Sequence, residues 1–251
     1  MKINAQQYLD RINYQGGLTA TIQTLQNLQL AHLSHVPFEN LDIHYNTPIK
    51  LDVKKMYDKV VLNNRGGFCY ELNELFLQLL INIGFEAKRI SARPYGKNGE
   101  FGPEYDHLAI WVTIDNNHFL SDVGFGDFAY LPLKIENELI QHDPNGKYQV
   151  DRYENDYWIV NKLHSGEKQP QYIFQLINRE LQEFAGMCHY QQTNPKSHFT
   201  QQKLITKVRT DGRITLTSNR LKTTKNGNVS EKHINDGEFE SYLWKYFQIK
   251  I

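Results

Sequence analysis

Arg65-Gly66-Gly67-Phe68-Cys69-Tyr70-Glu71-Leu72-Asn73 sets one cysteine just after a glycine pair, where an apolar helical pattern begins. Leu72, Leu75, Phe76, Leu79, Leu80 and Ile83 recur at helical spacing, and Gly84 closes the run. The glycines allow close backbone approach, so the cysteine can sit at the mouth of the helix. There the helix dipole and unpaired N–H groups favour thiolate over thiol and could hold a developing oxyanion. A small buried residue at a helix-packing position explains the same nine residues equally well, since free cysteine is often inert. The neighbouring segments must decide.

Upstream, residues 5–35 read as helical with a break at Gly16-Gly17, and Pro37 ends the pattern. His32 and His35 have no matching ligand cluster nearby and read as ordinary polar or packing residues. A short helical stretch over 52–62 leads into the Cys69 segment, so the first third is predominantly helical.

Downstream of Phe85 the period changes to two, and a strand runs to Pro94. Residues 96–106 read as an exposed loop, and 106–114 as a strong strand. Asp115-Asn116 suits a type I′ turn, after which 117–123 returns. That turn pairs Ile114 with Asn117 and makes Asp122 the diagonal same-face neighbour of His107, with Cα atoms roughly 7–8 Å apart. Asp106 precedes His107 in the chain but points to the other face. Asp122 is therefore the better orienter of His107.

Short strands are expected around 148–150, 157–160 and 172–176, a helix-like pattern over 178–190, a turn at 194–199 and a hairpin around Asp211-Gly212. Cys188 beside His189 reads as structural, because sequence neighbours rarely form a dyad. Phe239, Tyr242, Leu243, Tyr246 and Phe247 predict a final amphipathic helix. No internal repeat or low-complexity tract is visible.

Composition excludes several classes. The chain has 251 residues, with 28 Lys+Arg against 28 Asp+Glu, so neither nucleic acid nor an anionic membrane is the default partner. Two cysteines are too few for a disulfide framework and fit a reducing compartment. No apolar leader or membrane-length run appears, and the expected location is cytoplasmic.

The order Cys69…His107…Asp122, a nucleophile on a helix facing a sheet, resembles papain-like architecture. Nearly the whole chain also closely resembles the arylamine N-acetyltransferase family, in its prokaryotic form without the long interdomain insertion. Four motifs carry the likeness: Pro-Phe-Glu-Asn-Leu at 37–41, Arg-Gly-Gly-x-Cys-x-Glu-x-Asn at 65–73, Asp-His-Leu at 106–108 and Asp-Val-Gly-Phe-Gly at 122–126.

The resemblance implies an α+β fold: a helical bundle over 1–84 carrying the nucleophile, a β-barrel over 85–190 carrying His and Asp, and an α/β lid over 191–251. It implies a catalytic triad of Cys69, His107 and Asp122, with no metal. It places Phe38, Phe125 and, more loosely, Phe199 in the acceptor pocket, and Gly124 and Gly126 beside the pantetheine arm of acetyl-CoA. Arg65, Glu39 and Asn73 become a buried polar network. Lys203, Lys207, Arg209 and Arg213 are candidate phosphate contacts, though a solvated strand face explains them as well.

The implied reaction is ping-pong N-acetylation of an arylamine or hydrazine, extended to O-acetylation of N-hydroxyarylamines, by a monomer or weak homodimer. An amide synthase or cysteine hydrolase would use the same triad. A binding module without catalysis ranks third, because it leaves the Cys–His–Asp set unexplained.

Overall fold

The computed structural model describes residues 3–235 and 237–251. The helical layer comprises α1 (Ala5–Arg11), α2 (Ile22–His35), β1 (Phe38–Glu39), α3 (Leu41–His44), α4 (Val53–Tyr57) with a π turn (Asp58–Leu62), and α5 (Cys69–Asn82). Local signals start several of these helices. Asn4, Thr21 and Asp52 each cap a helix by accepting the backbone N–H three residues on.

α5 is the axis of the layer. From Cys69 to Leu77 every residue is buried, so the apolar stripe read from the sequence is only one face of a helix enclosed all round. Its polar residues are tolerated because each has a partner. Glu74 takes the Arg89 guanidinium through both oxygens, at 2.6 and 2.9 Å. Glu71 takes Lys59 at 2.9 Å.

β2 (Glu86–Pro94), β3 (His107–Ile114), β4 (Asn117–Ser121), β5 (Leu133–Lys134), β6 (Ile140–Asp143), β7 (Gly146–Arg152), β8 (Trp158–His164) and β9 (Glu167–Phe174) form one antiparallel sheet. Its strand order is β5-β4-β3-β2-β9-β8-β7-β6. The sheet curls into a nearly closed barrel whose edges meet through the Gln141 side chain, which accepts from Lys134 N and donates to Lys134 O. The β3–β4 hairpin has the expected register, Ile114 opposite Asn117, and its turn residues Asp115 and Asn116 have φ of 48° and 60°.

β3 is shared by two cores. Leu108, Ile110 and Val112 pack on the α5 side, whereas Ala109 and Trp111 face the barrel interior with Tyr148, Val160 and Tyr172.

After α6 (Ala185–Thr193), which runs across residue 190, the chain forms β10 (Leu204–Arg209), β11 (Gly212–Thr217), β12 (Arg220–Lys225), β13 (Asn228–His233) and α7 (Phe239–Phe247). β1 joins this second sheet beside β10, in the order β1-β10-β11-β12-β13. α7 covers it with Phe239, Leu243 and Phe247, each burial worth about 1.5–3 kcal/mol. The architecture is the expected α+β one: helices, barrel, then sheet and helix. Among the described residues no helix is long and apolar enough to cross a membrane.

A buried charge network braces the helical layer. Arg65 binds Glu39 at 2.8 Å and Asp42 at 2.7 Å, and Lys59 binds Asp42 at 2.8 Å as well as Glu71. Although burial opposes ionisation of Asp42, the two cations prevail and hold its carboxyl below the usual range. Arg65→Ala leaves three acids, Glu39, Asp42 and Glu71, with the single cation Lys59 and is expected to destabilise the fold by about 3–5 kcal/mol in urea titration. An unchanged midpoint would mean that the network is dispensable.

Candidate active site

Cys69 is the first residue of α5, after an extended Phe68 with ψ of −175°. The glycine pair upstream is needed for contact: a Cβ on Gly66 would lie 2.1 Å from the Pro37 carbonyl oxygen. Glu71 closes the helix start by accepting the Phe68 N–H at 3.1 Å. Cys69 is only 3% exposed.

This burial reverses one expectation. It pushes the Cys69 thiol well up; the Leu108 N–H donating to sulfur pulls it down, and nearby Asp106, Cys188 and Asp122 push it further up. The helix start alone does not make a thiolate here.

His107, the first residue of β3, and Asp122, just past β4, form a hydrogen-bonded pair. His107 Nε2 lies 2.7 Å from Asp122 Oδ2, both side chains being buried. Asp122 Oδ2 also accepts from the Tyr172 hydroxyl at 3.1 Å, while Oδ1 accepts from Asn73 Nδ2 at 2.8 Å and Gly124 N at 2.9 Å. Four donors fix the carboxylate. It in turn holds the neutral imidazole as the Nε2–H tautomer, leaving Nδ1 as the acceptor.

Asn73 ties the site to its scaffold. Besides Asp122 it donates to Leu108 O at 2.6 Å and accepts from Val123 N at 2.8 Å. The Leu108 peptide thus meets α5 twice, through Cys69 sulfur and Asn73, which sets the start of β3 against the cysteine. Arg65 and Glu39 belong to the separate charge network, so the three expected brace residues divide between two systems.

Phe125 meets the His107 ring edge-on at 5.0 Å between centroids. Phe38, Phe125, Phe199 and Gly126 line one cavity of about 430 Å³. Phe199 is held there by Asn40, whose amide donates to Phe199 O and Gln202 O, both at 2.9 Å, and accepts from Leu204 N at 2.7 Å.

Gly124 lies instead against α5, where a Cβ would fall 2.8 Å from both Cys69 Cα and Asn73 Nδ2. Gly124→Ala is expected to cost about 1–3 kcal/mol in urea titration and to slow Cys69 alkylation, because it wedges the nucleophile's helix away from Asp122. Normal alkylation at full stability would contradict that reading.

Other candidates stand apart. Asp106 faces away and receives the Gln191 amide. Cys188 is buried in the core of the helical layer, accepts from Gln192 at 3.3 Å and is pushed up to about 12 by burial. A cavity of about 620 Å³ beside it contains neither the triad nor the three phenylalanines. His32 bonds Tyr8 at 3.0 Å and is pushed down to about 3 by burial. Among the described residues, no three His, Cys, Asp or Glu side chains converge as a metal site.

Sequence reasoning missed Tyr172 and Asn40. Tyr172 reads as one more aromatic of an alternating strand, and only the barrel's curl brings its hydroxyl to Asp122.

A buried cysteine at a helix start, with an oriented histidine and an aromatic cavity, fits acyl-transfer chemistry. Comparison narrows this. The N-acetyltransferase family profile matches residues 21–251. The chain is 30% identical over 227 residues to an arylamine N-acetyltransferase of Escherichia coli, covering 90% of this chain and 80% of that protein. It is 31% identical to the arylamine N-acetyltransferase / N-hydroxyarylamine O-acetyltransferase of Salmonella typhimurium, over 84% of this chain and 75% of that one. The Mycobacterium marinum arylamine N-acetyltransferase solved with CoA superposes with a TM-score of 0.90 at 28% identity, covering 98% of this chain and 93% of that one. The chain belongs to the arylamine N-acetyltransferase family and is an acyltransferase.

Proposed function

We propose that the protein transfers an acetyl group from acetyl-CoA to an arylamine or arylhydrazine through an acetyl-Cys69 intermediate. The observation that carries this is the Asp122 carboxylate, held by four donors beside a histidine whose other nitrogen is free to act as base. His107 Nδ1 takes the Cys69 proton, and the thiolate attacks the thioester carbonyl. The CoA sulfur leaves with that proton, and acetyl-Cys69 remains. An arylamine then attacks; His107 takes the amine proton and returns it to the departing Cys69 sulfur. Exchange between two thioesters is nearly balanced, which suits a sulfur nucleophile.

Phe38, Phe125 and Phe199 form the acceptor wall, and Gly126 leaves room for the pantetheine arm. The M. marinum relative solved with CoA supports the donor, and the Salmonella relative's name supports O-acetylation as a second activity.

Initial rates at varied acetyl-CoA and 4-anisidine are expected to give parallel double-reciprocal lines, with steady-state CoA release rising with amine concentration. Intersecting lines would refute the covalent scheme. CoA release unaffected by amine would favour a hydrolase.

A further inference from the structure

β4 ends at Ser121 and β5 begins at Leu133, and residues 122–132 between them belong to no helix or strand. This loop carries Asp122 and Phe125. Its backbone is held by side chains at both ends. At the near end Asn73 Oδ1 accepts from Val123 N at 2.8 Å, and Asp122 Oδ1 accepts from Gly124 N at 2.9 Å. Those anchors are part of the site itself. The far end is held from outside it, by the turn between β6 and β7. Asp143 Oδ2 accepts from Tyr130 N at 2.9 Å and Leu131 N at 2.8 Å. Asn145 Nδ2 donates to Phe128 O at 2.9 Å and Asp127 Oδ1 at 2.8 Å, with the Tyr148 hydroxyl at 3.3 Å.

Asn145 is itself fixed. Its backbone N–H donates to Asp143 Oδ1 at 2.7 Å, and the turn is closed by Asp143 pairing with Gly146. From Phe128 two aromatic paths lead to the triad. Phe128 meets Phe125 edge-on at 5.4 Å, and Phe125 meets the His107 ring at 5.0 Å. Phe128 also stacks on Tyr172 at 5.2 Å, and the Tyr172 hydroxyl reaches Asp122. The two paths are unequal. Tyr172 is fixed within β9 and Asp122 has four donors of its own, so the residue that depends on Asn145 is Phe125.

We propose that Asn145 is a positioning residue for the second half of the reaction. By holding Asp127 and Phe128 it keeps the Phe125 ring against His107, where the amine meets acetyl-Cys69. Ordering this stretch in advance removes that cost from acceptor binding. The inference rests on the acetyl-transfer reading above and deepens it.

The test separates the half-reactions. Acetyl-Cys69 formation is timed by intact-protein mass spectrometry with acetyl-CoA alone, and the acetyl-enzyme is then chased with increasing 4-anisidine. Asn145→Ala is expected to form acetyl-Cys69 at the wild-type rate and to keep the wild-type iodoacetamide pH profile. Its chase should be slower by about 10-fold at low amine, the worth of a hydrogen bond, and should recover at saturating amine. Asn145→Asp keeps the shape but loses both donors, and should slow the chase at least as much. Adding Asp127→Asn to it restores the 127–145 bond with donor and acceptor exchanged. That paired variant should recover part of the rate, because Phe128 O still lacks its donor. Equal slowing of both half-reactions in Asn145→Ala, or a shifted pH profile, would overturn the proposal and make Asn145 merely structural. So would an unchanged chase, or a paired variant no faster than Asn145→Asp alone. With a wild type that forms acetyl-Cys69 and loses it to amine, those results refute this inference alone. A wild type that forms no acetyl-enzyme refutes the transfer reading as well.

Discussion

His107→Gln is expected to lower acetyl-Cys69 formation at neutral pH by about a thousand-fold or more, since it removes the general base of the proposed scheme. Burial pushes this thiol up, against the Leu108 N–H, which pulls it down. The sign of the pH effect follows. On the proposed scheme the wild-type proton moves to His107, which provides a reactive sulfur near neutrality. In the variant the cysteine ionises as an isolated buried thiol, above the range of about 8.5 for a free one, so alkylation should keep rising into alkaline solution. Iodoacetamide rates across pH measure this in both proteins. A variant that keeps the wild-type profile would mean that the helix start activates Cys69 unaided.

Asp122→Asn should lower kcat/KM by about a hundred- to ten-thousand-fold. An amide offers one acceptor oxygen where the carboxylate serves two pairs of donors: His107 with Tyr172, and Asn73 with Gly124. Whichever way it turns, its NH₂ group faces two groups that were donating. If it faces His107, the imidazole must change tautomer and Nδ1 ceases to be a base. If it faces Asn73 and Gly124, two buried donors lose their acceptor at about 1–3 kcal/mol each. In both orientations the negative charge that stabilises the imidazolium is gone. The iodoacetamide pH profile separates this from simple destabilisation, because it moves to alkaline pH only if the base has been disabled. A large fall in stability with an unmoved profile would make Asp122 structural.

The parts of the site visible in the sequence were those set by local counting. A two-residue turn at Asp115-Asn116 determines the register of its hairpin, and that count alone brings Asp122 to His107. The glycine pair and the apolar period beyond it mark the start of α5. What stayed hidden depends on contacts distant in sequence. Tyr172 is placed by the curl of the barrel, and Asn40 by the docking of the Phe199 segment. Gly124 is expected beside the pantetheine arm, yet its packing against Cys69 is what forbids a side chain. β13 was missed because all six of its residues are exposed, so it has no alternation between a wet and a dry face. The reversed prediction for the thiol has the same root: a helix start can be read from sequence, but the depth at which it lies cannot.

The most direct measurement is intact-protein mass spectrometry after brief exposure to acetyl-CoA, followed by peptide mapping and an arylamine chase. A single acetyl group on the Cys69 peptide, lost when 4-anisidine is added, is the predicted result. Acetyl-CoA turnover with no adduct on Cys69, or an adduct that persists in the presence of amine, would contradict the account.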